Sequence, residues 1–244
     1  MLRVLFALSA LAAVVEPSMA ADQRPNLLFI VTDDQAPWAI GYAGHPHVKT
    51  PHMDRLAREG ARLVNAFTTT PVCSPSRVGF IASRYGSEVG ITDWINPNRE
   101  PDLGLDPSTP VWPRLLKDAG YRTGLIGKWH LGTLDKFHPS QFGYDFFFGF
   151  RGGGNSPKDP TLESEGVTKK FPGFLVDLMT DETLAFLQRH QNEPFALSVH
   201  YRAPHAPWLP TPEEDWTPFE DLDPTVPNPD YPKLDIARGK KVTR

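Results

Sequence analysis

Five polar side chains with the chemistry of an active site come at or just after three apolar runs of the sequence: Asp33, Asp34, Lys128, His130 and His205. Ligands of open α/β sheets bind outside the carboxyl ends of the strands, so we expect these side chains to converge on one crevice. Two adjacent carboxylates suit Ca²⁺ or Mg²⁺ better than zinc. Each residue alone has an ordinary alternative: a turn or helix cap, a strand-end lysine, or a solvated loop histidine.

Cys73 is the one cysteine of the chain and stands in the segment Cys73-Ser74-Pro75-Ser76-Arg77. The segment has the composition of a helix start, where free backbone N–H groups favour an anion. Arg77, one turn further on, can turn back toward the same point. Such surroundings would make the thiol a nucleophile. The plain alternative is a small buried hydrophobic residue.

Apolar runs and helix start signals alternate along the chain, which is typical of an α/β fold with a mainly parallel sheet flanked by helices. The runs predict strands at 26–32, 61–67, 123–128 and 195–201. The first is apolar throughout, as in a strand buried on both faces. Start and stop signals predict helices from Thr50-Pro51 to Gly60, from Ser74-Pro75, from Thr109-Pro110 to Gly120, and over 175–189. We expect irregular surface connections at 149–171 and 203–232.

Composition places the chain among globular proteins. It has 244 residues, 40% of them hydrophobic and 22% charged, which excludes disordered, collagenous and coiled-coil classes. The net charge of −4 gives no electrostatic footprint for nucleic acid, so we expect no nucleic-acid partner.

The first 20 residues have the pattern of a secretory signal peptide. Arg3 precedes the apolar run 4–15, and Ser18-Met19-Ala20 is a small-x-small cleavage site. We therefore expect a mature chain from about Ala21, exported to the periplasm or the extracellular space. No later run is long enough to span a membrane.

Cys73-x-Pro75-Ser76-Arg77 resembles the signature of the sulfatase family, in which the cysteine is converted to formylglycine. Further segments match the family in the same order: 24–34, 50–57, 127–132, 143–149 and 204–207. The resemblance implies the alkaline phosphatase-like α/β fold over 21–244 and hydrolysis of sulfate esters. A sulfate-ester substrate and a formylglycine-generating or equivalent maturation enzyme would be the partners.

The resemblance also implies a metal site. Asp33 and Asp34 would be ligands of a Ca²⁺ ion, with Mg²⁺ the less favoured cation, and Cys73, as formylglycine, would also face the metal. A second pair of metal ligands and a further sulfate-site lysine do not occur in this sequence. We therefore expect 21–244 to be the N-terminal part of a longer catalytic domain, with an unfinished sheet and an exposed apolar side.

Four further residues match positions of the family that act on the sulfate. Arg77 and Lys128 would stabilise the hydrated formylglycine and the sulfate oxygens. His130 would be the base that regenerates the aldehyde, and His205 would contact the sulfate and help to protonate the leaving alcohol.

Two alternatives stay open. A phosphonate monoester or phosphodiester hydrolase of the same superfamily can share the Cys-x-Pro-x-Arg pattern. The chain can also be a catalytically incompetent fragment, because half of the metal ligands are missing.

Overall fold

The computed structural model describes residues 24–222, and the predicted signal peptide lies outside them. Its centre is a six-stranded sheet in the order β1-β6-β2-β3-β4-β5. The strands are β1 (Leu27–Val31), β2 (Arg122–Lys128), β3 (Phe146–Phe150), β4 (Thr161–Ser164), β5 (Val167–Lys170) and β6 (Phe195–His200). The first four of that order are parallel, whereas β3, β4 and β5 pair antiparallel. The mainly parallel α/β prediction is confirmed.

In the described part of the chain, five α-helices accompany the sheet: α1 (Pro51–Glu59), α2 (Cys73–Ala82), α3 (Trp112–Asp118), α4 (Leu175–Arg189) and α5 (Glu213–Trp216). Thr50 precedes α1 and Gly60 follows it, as predicted. Helix α2 begins one residue earlier than predicted, so that Cys73 is its first residue. The start predicted at Thr109-Pro110 is wrong by two residues, because Val111 is still extended. No helix in 24–222 is long and apolar enough to cross a membrane.

The core lies on both faces of the sheet because side chains alternate along each strand. Leu125 belongs to the cluster on one face, together with Val78 and Ile81 of α2. Its neighbour Ile126 belongs to the cluster on the other face, together with Met179 and Phe186 of α4. Strand β2 therefore packs against helices on both of its faces, and its residues Thr123–Lys128 are all buried.

Strand β1 departs from the prediction of burial on both faces. Within residues 24–222 it forms an edge of the sheet, paired only with β6, and its apolar side chains stay partly exposed. Ile30 is 53% exposed and Leu28 46%. An apolar run shows that a strand can be buried, and neighbouring elements decide whether it is. The expected exposed apolar side is present at β1.

Other segments also depart from the predictions, among them 61–67 and 149–171. Residues 61–67 form no strand but an irregular segment in which Leu63 and Phe67 are exposed, so their apolar composition misled the prediction. The predicted irregular connection 149–171 instead contains the β4–β5 hairpin, which turns at Glu165 and Gly166, both with positive φ. The turn chemistry of this pair was the available signal.

Candidate active site

A buried ion cluster forms the floor of the site at the carboxyl ends of β1 and β2. The Lys128 ammonium lies 2.5 Å from the Asp33 carboxylate and is fully buried. The Arg77 guanidinium, also buried, approaches the same carboxylate oxygen at 3.5 Å and donates to the Lys128 carbonyl at 2.7 Å. Burial lowers the pKa of Arg77, and the charge of Asp33 opposes this effect. Two cations share one carboxylate, so the cluster keeps a single positive charge.

His200, at the end of β6, completes this floor, although the sequence indicated no role for it. Its Nδ1 lies 3.1 Å from the Lys128 carbonyl oxygen and 3.3 Å from Arg77 Nη1. The ring packs between the edges of Phe29 and Phe80. Burial, and then the Arg77 charge, lower the pKa of His200 to about 3, so the ring is neutral beside the cations. The position of a polar residue at the end of an apolar strand was the signal that could have identified it.

Cys73 lies at the amino-terminal end of α2, directly in front of the buried cluster. The end of the helix is held by Ser74, whose buried hydroxyl accepts a hydrogen bond from the Ile95 backbone N–H at 3.0 Å. Cys73 is itself partly exposed. The first residues of a helix carry unpaired N–H groups and the positive end of the helix dipole. The cysteine therefore faces a position that favours an anion.

His130 has the geometry of a general base. Its Nε2 lies 3.0 Å from the Ile95 carbonyl oxygen, and since a carbonyl only accepts, Nε2 carries the proton. Nδ1 keeps its lone pair and has no hydrogen-bond partner in the described part of the chain. Burial, and then the charge of Lys128, lower the pKa of His130 to about 4. The imidazole is therefore neutral at neutral pH and keeps a free lone pair at Nδ1.

Gly153 explains why the connection beside His130 is glycine-rich. A Cβ at position 153 would collide with the His130 ring, whereas a Cβ at Gly152 or Gly154 would meet open space. The central glycine therefore allows the backbone to approach the imidazole closely.

Asp34 and His205 form the opposite, exposed side of the site. The chain turns at Asp34, which has a φ of 61°, and this turn separates its side chain from that of Asp33. His205 Nε2 lies 3.6 Å from an Asp34 carboxylate oxygen, and His205 Nδ1 lies 2.5 Å from the Ala206 carbonyl oxygen. The Asp33 N–H donates to the Ala203 carbonyl at 3.2 Å, which joins the two segments.

One cavity of about 700 Å³ brings most of the predicted residues together. It is lined by Asp34, Cys73, His130 and His205, together with Trp94, Asn96 and the three glycines 152–154. Asp33, Arg77 and Lys128 do not line it but lie buried behind it. The predicted crevice is thus present, with the nucleophile candidate and two histidines at its surface and the cations beneath.

The hard-cation site is only partly formed by the described residues. Asp33 and Asp34 are carboxylates of the right type, but Asp33 is engaged by Lys128 and Arg77. Residues 24–222 contain no group of three or more histidine, cysteine or acidic side chains able to hold a metal. A Ca²⁺ ion takes six to eight oxygen ligands. The donors within residues 24–222 do not complete such a site.

Comparison with known proteins agrees with this arrangement. The sulfatase family model matches residues 25–228. An N-acetylglucosamine-6-O-sulfatase of Bacteroides thetaiotaomicron is 34% identical over 204 residues, which cover 83% of this chain and 35% of the relative. The N-acetylgalactosamine-6-sulfatase of Homo sapiens is 32% identical over 213 residues, which cover 77% of this chain and 41% of the relative.

Solved structures show the same fold. The crystal structure of Ps i-CgsB matches with a TM-score of 0.78 and 29% identity, covering 83% of this chain and 50% of that one. The phosphonate monoester hydrolase of Agrobacterium radiobacter, at 20% identity and a TM-score of 0.53, shares the fold alone. The chain spans half or less of the length of these relatives. With the family model matched over most of its length, the chain belongs to the sulfatase family and has its alkaline phosphatase-like fold.

Proposed function

We propose that the protein is an exported hydrolase of sulfate esters that uses a formylglycine made from Cys73. The observation that carries the proposal is the place of Cys73, which shares one cavity with His130 and His205 and stands in front of a buried cluster of net positive charge. The signal-peptide pattern of residues 1–20 supports export.

The positive cluster is suited to the charge of the substrate. Arg77 and Lys128 would attract the sulfate and neutralise charge that develops on its oxygens, and such preorganised electrostatics are usually the largest part of catalysis. Since Asp33 and the Lys128 carbonyl already hold both side chains, the cations need not reorganise when the anion arrives. His200 is neutral, so it does not repel the neighbouring cations Arg77 and Lys128.

The two histidines would move the protons. A hydrated formylglycine supplies one hydroxyl to attack sulfur and a second whose deprotonation releases sulfate. His130 would accept that proton at Nδ1, which is the free lone pair of its ring. His205, on the exposed side of the cavity, would give a proton to the departing alcohol.

We also propose a Ca²⁺ ion, with Mg²⁺ less favoured, held in part by Asp33 and Asp34 and by the modified Cys73. Calorimetric titration of the chain with calcium tests this part of the proposal. Micromolar binding would exclude the alternative of a catalytically incompetent fragment. We expect weak binding, because the described donors are fewer than calcium requires.

Turnover of paired substrates tests the reaction. The chain is co-expressed with a formylglycine-generating enzyme and supplied with an aryl sulfate and the matching aryl phosphonate monoester. We expect the sulfate to be hydrolysed faster and the variant Cys73→Ala to lose activity on both. A faster reaction on the phosphonate would favour the phosphonate hydrolase alternative, and equal turnover by Cys73→Ala would contradict the role of this residue.

A further inference from the structure

Arg202 is a buried cation with unused hydrogen-bonding capacity. The residue follows β6 and is only 4% exposed. Its Nη2 donates to the Pro207 carbonyl at 2.6 Å, but Nε and Nη1 have no hydrogen-bond partner within residues 24–222. Burying an ion without partners costs free energy. An arginine left in this state is therefore suited to a ligand that supplies the missing acceptors.

Arg202 borders a second cavity, of about 270 Å³, which we call the Arg202 cavity. It lies between the start of α4 and the proline-rich segment 203–212. His205 lines both this cavity and the larger one that contains Cys73. The same histidine would protonate the leaving alcohol, so a group in the Arg202 cavity would be part of the leaving group or attached to it.

The walls of the Arg202 cavity are suited to a sugar. Phe174 and Trp208 supply aromatic surface, and the side chain of Trp208 is 44% exposed. Asp177 and Asp215, both exposed, also line the cavity and can accept hydrogen bonds from hydroxyl groups. The cation is buried and the carboxylates are exposed, so an anionic substituent would have to point inward, away from the carboxylates.

The nearest competing anion does not satisfy Arg202. The charge of Asp33 acts on the guanidinium, but Asp33 forms its ion pairs with Lys128 and Arg77. Among the described residues, no carboxylate lies within ion-pair distance of Arg202. A guanidinium that keeps free N–H groups is a charged donor suited to carboxylate and sulfate oxygens.

We propose that Arg202 forms an anion subsite, which binds a second sulfate or a carboxylate on the sugar whose sulfate ester is cleaved at Cys73. The proposal rests on the proposed sulfatase function and narrows its substrate class to saccharides that carry at least two anionic groups. It needs no covalent step, and small movements of the proline-rich segment would admit the anion to Nε and Nη1.

Binding of unreactive ligands tests the subsite without catalysis. The probes are three disaccharides with the same backbone and no sulfate ester: a neutral one, one with a uronic acid carboxylate, and one with a sulfonate. Calorimetry with the whole chain should show the carboxylate or the sulfonate ligand binding roughly tenfold to a hundredfold more tightly than the neutral one, as expected for charge-assisted hydrogen bonds. The two anionic arms identify which group is recognised.

Matched variants show whether Arg202 is responsible. Arg202→Met should remove the preference for the anionic ligands, and Arg202→Lys should keep part of it. Arg84→Met is the control, since Arg84 is an exposed arginine whose ion pair is with Glu88 on the surface. Arg202→Met should melt at no lower temperature than Arg84→Met, because the substitution removes a buried charge that has no ion-pair partner.

Two results would overturn the subsite. One is equal binding of the three disaccharides by the wild-type chain. The other is tighter binding of the anionic disaccharides that persists in Arg202→Met. If Arg202→Met fails to fold, the same result for Arg202→Lys at high salt would overturn the subsite. These results are distinct from failure of the proposed function, because turnover of an aryl sulfate does not involve the disaccharide, and ligand preference does not involve formylglycine.

Discussion

Asp33 and Asp34 are neighbours in the chain but lie in opposite surroundings. The Asp33 side chain is 9% exposed and holds the two cations Lys128 and Arg77. The Asp34 side chain is 65% exposed, and its one ion-pair partner within residues 24–222 is His205 at 3.6 Å. The turn at Asp34 causes the difference. The floor of the site, formed by Asp33, Arg77, Lys128 and His200, is called the buried wall below. Asp34 and His205 are called the exposed wall. The buried wall is fixed by its own contacts, while the exposed wall is open to substrate.

The largest expected effect comes from breaking the buried wall at its lysine. Lys128→Met leaves the Asp33 carboxylate with only the longer Arg77 contact, and loss of one partner of a buried pair typically costs about 3–5 kcal/mol. Urea unfolding measures the free energy of unfolding.

Lys117→Met is the matched control for this variant. Lys117 pairs with Asp145 at 2.7 Å but is 45% exposed, and an exposed pair contributes about 1 kcal/mol or less. Equal destabilisation by the two substitutions would show that burial does not determine how much an ion pair contributes to stability.

Acid should next destabilise the protein through two histidines, His200 of the buried wall and His130, which lines the cavity. The pKa values of His130 and His200 are lowered to about 4 and about 3, from 6.5 in the unfolded chain. Between pH 6.5 and 4 the unfolded state binds more protons, so stability is full above pH 6.5 and falls as the pH falls through this window. Each histidine contributes at most about 1.4 kcal/mol per pH unit.

The variant His200→Asn separates this titration from other acid effects. Asparagine keeps a polar atom near the Lys128 carbonyl but does not titrate, so the slope of the unfolding free energy between pH 6.5 and 4 should decrease. His52→Asn is the control, because His52 is exposed on α1. If both variants have the slope of the wild type, His200 is not the source of the acid sensitivity.

A methyl group at Gly153 should disturb the base without unfolding the protein. Gly153→Ala places a Cβ against the His130 ring, and misplacing a catalytic group by about 1 Å can cost about a hundredfold in rate. Turnover of an aryl sulfate by the matured chain measures the loss. Gly154→Ala, whose Cβ meets open space, should stay near the wild-type rate. Similar losses in both variants would contradict the contact with His130.

The smallest effect is expected at the exposed wall. Asp34→Asn removes the charge facing His205, and since such exposed pairs contribute at most about 1 kcal/mol, the urea midpoint should hardly change. A destabilisation as large as that of Lys128→Met would show that the two walls are equally important for folding.

The sequence was sufficient to predict several of the residues that lie at the ends of parallel strands. Asp33, Lys128 and His205 could be placed near one crevice because strand and helix signals alternate. The helix start at Cys73 indicated Cys73 and Arg77, and the resemblance added the roles of these two residues. Burial could not be predicted in the same way. Strand β1 is as apolar as β6 but is an exposed edge, because burial depends on which elements cover a strand.

The strand end could have drawn attention to His200, but the contacts of His200 and Arg202 could not be predicted because they are long-range. His200 contacts Lys128 and Arg77, which are 72 and 123 positions away in the chain. Among the described residues, Arg202 Nε and Nη1 have no hydrogen-bond partner, and no local sequence pattern predicts such an absence. The connection 149–171 was likewise predicted as irregular, although it pairs with β3 through β4.

Mass spectrometry of the tryptic peptide 63–77 tests the central claim most directly. The chain is expressed with a formylglycine-generating enzyme, and the peptide that contains Cys73 is compared with the same peptide from cells without that enzyme. We predict that the Cys73 thiol is replaced by an aldehyde only when the enzyme is present. An unmodified thiol under both conditions would contradict the assignment of Cys73 as the precursor of the nucleophile.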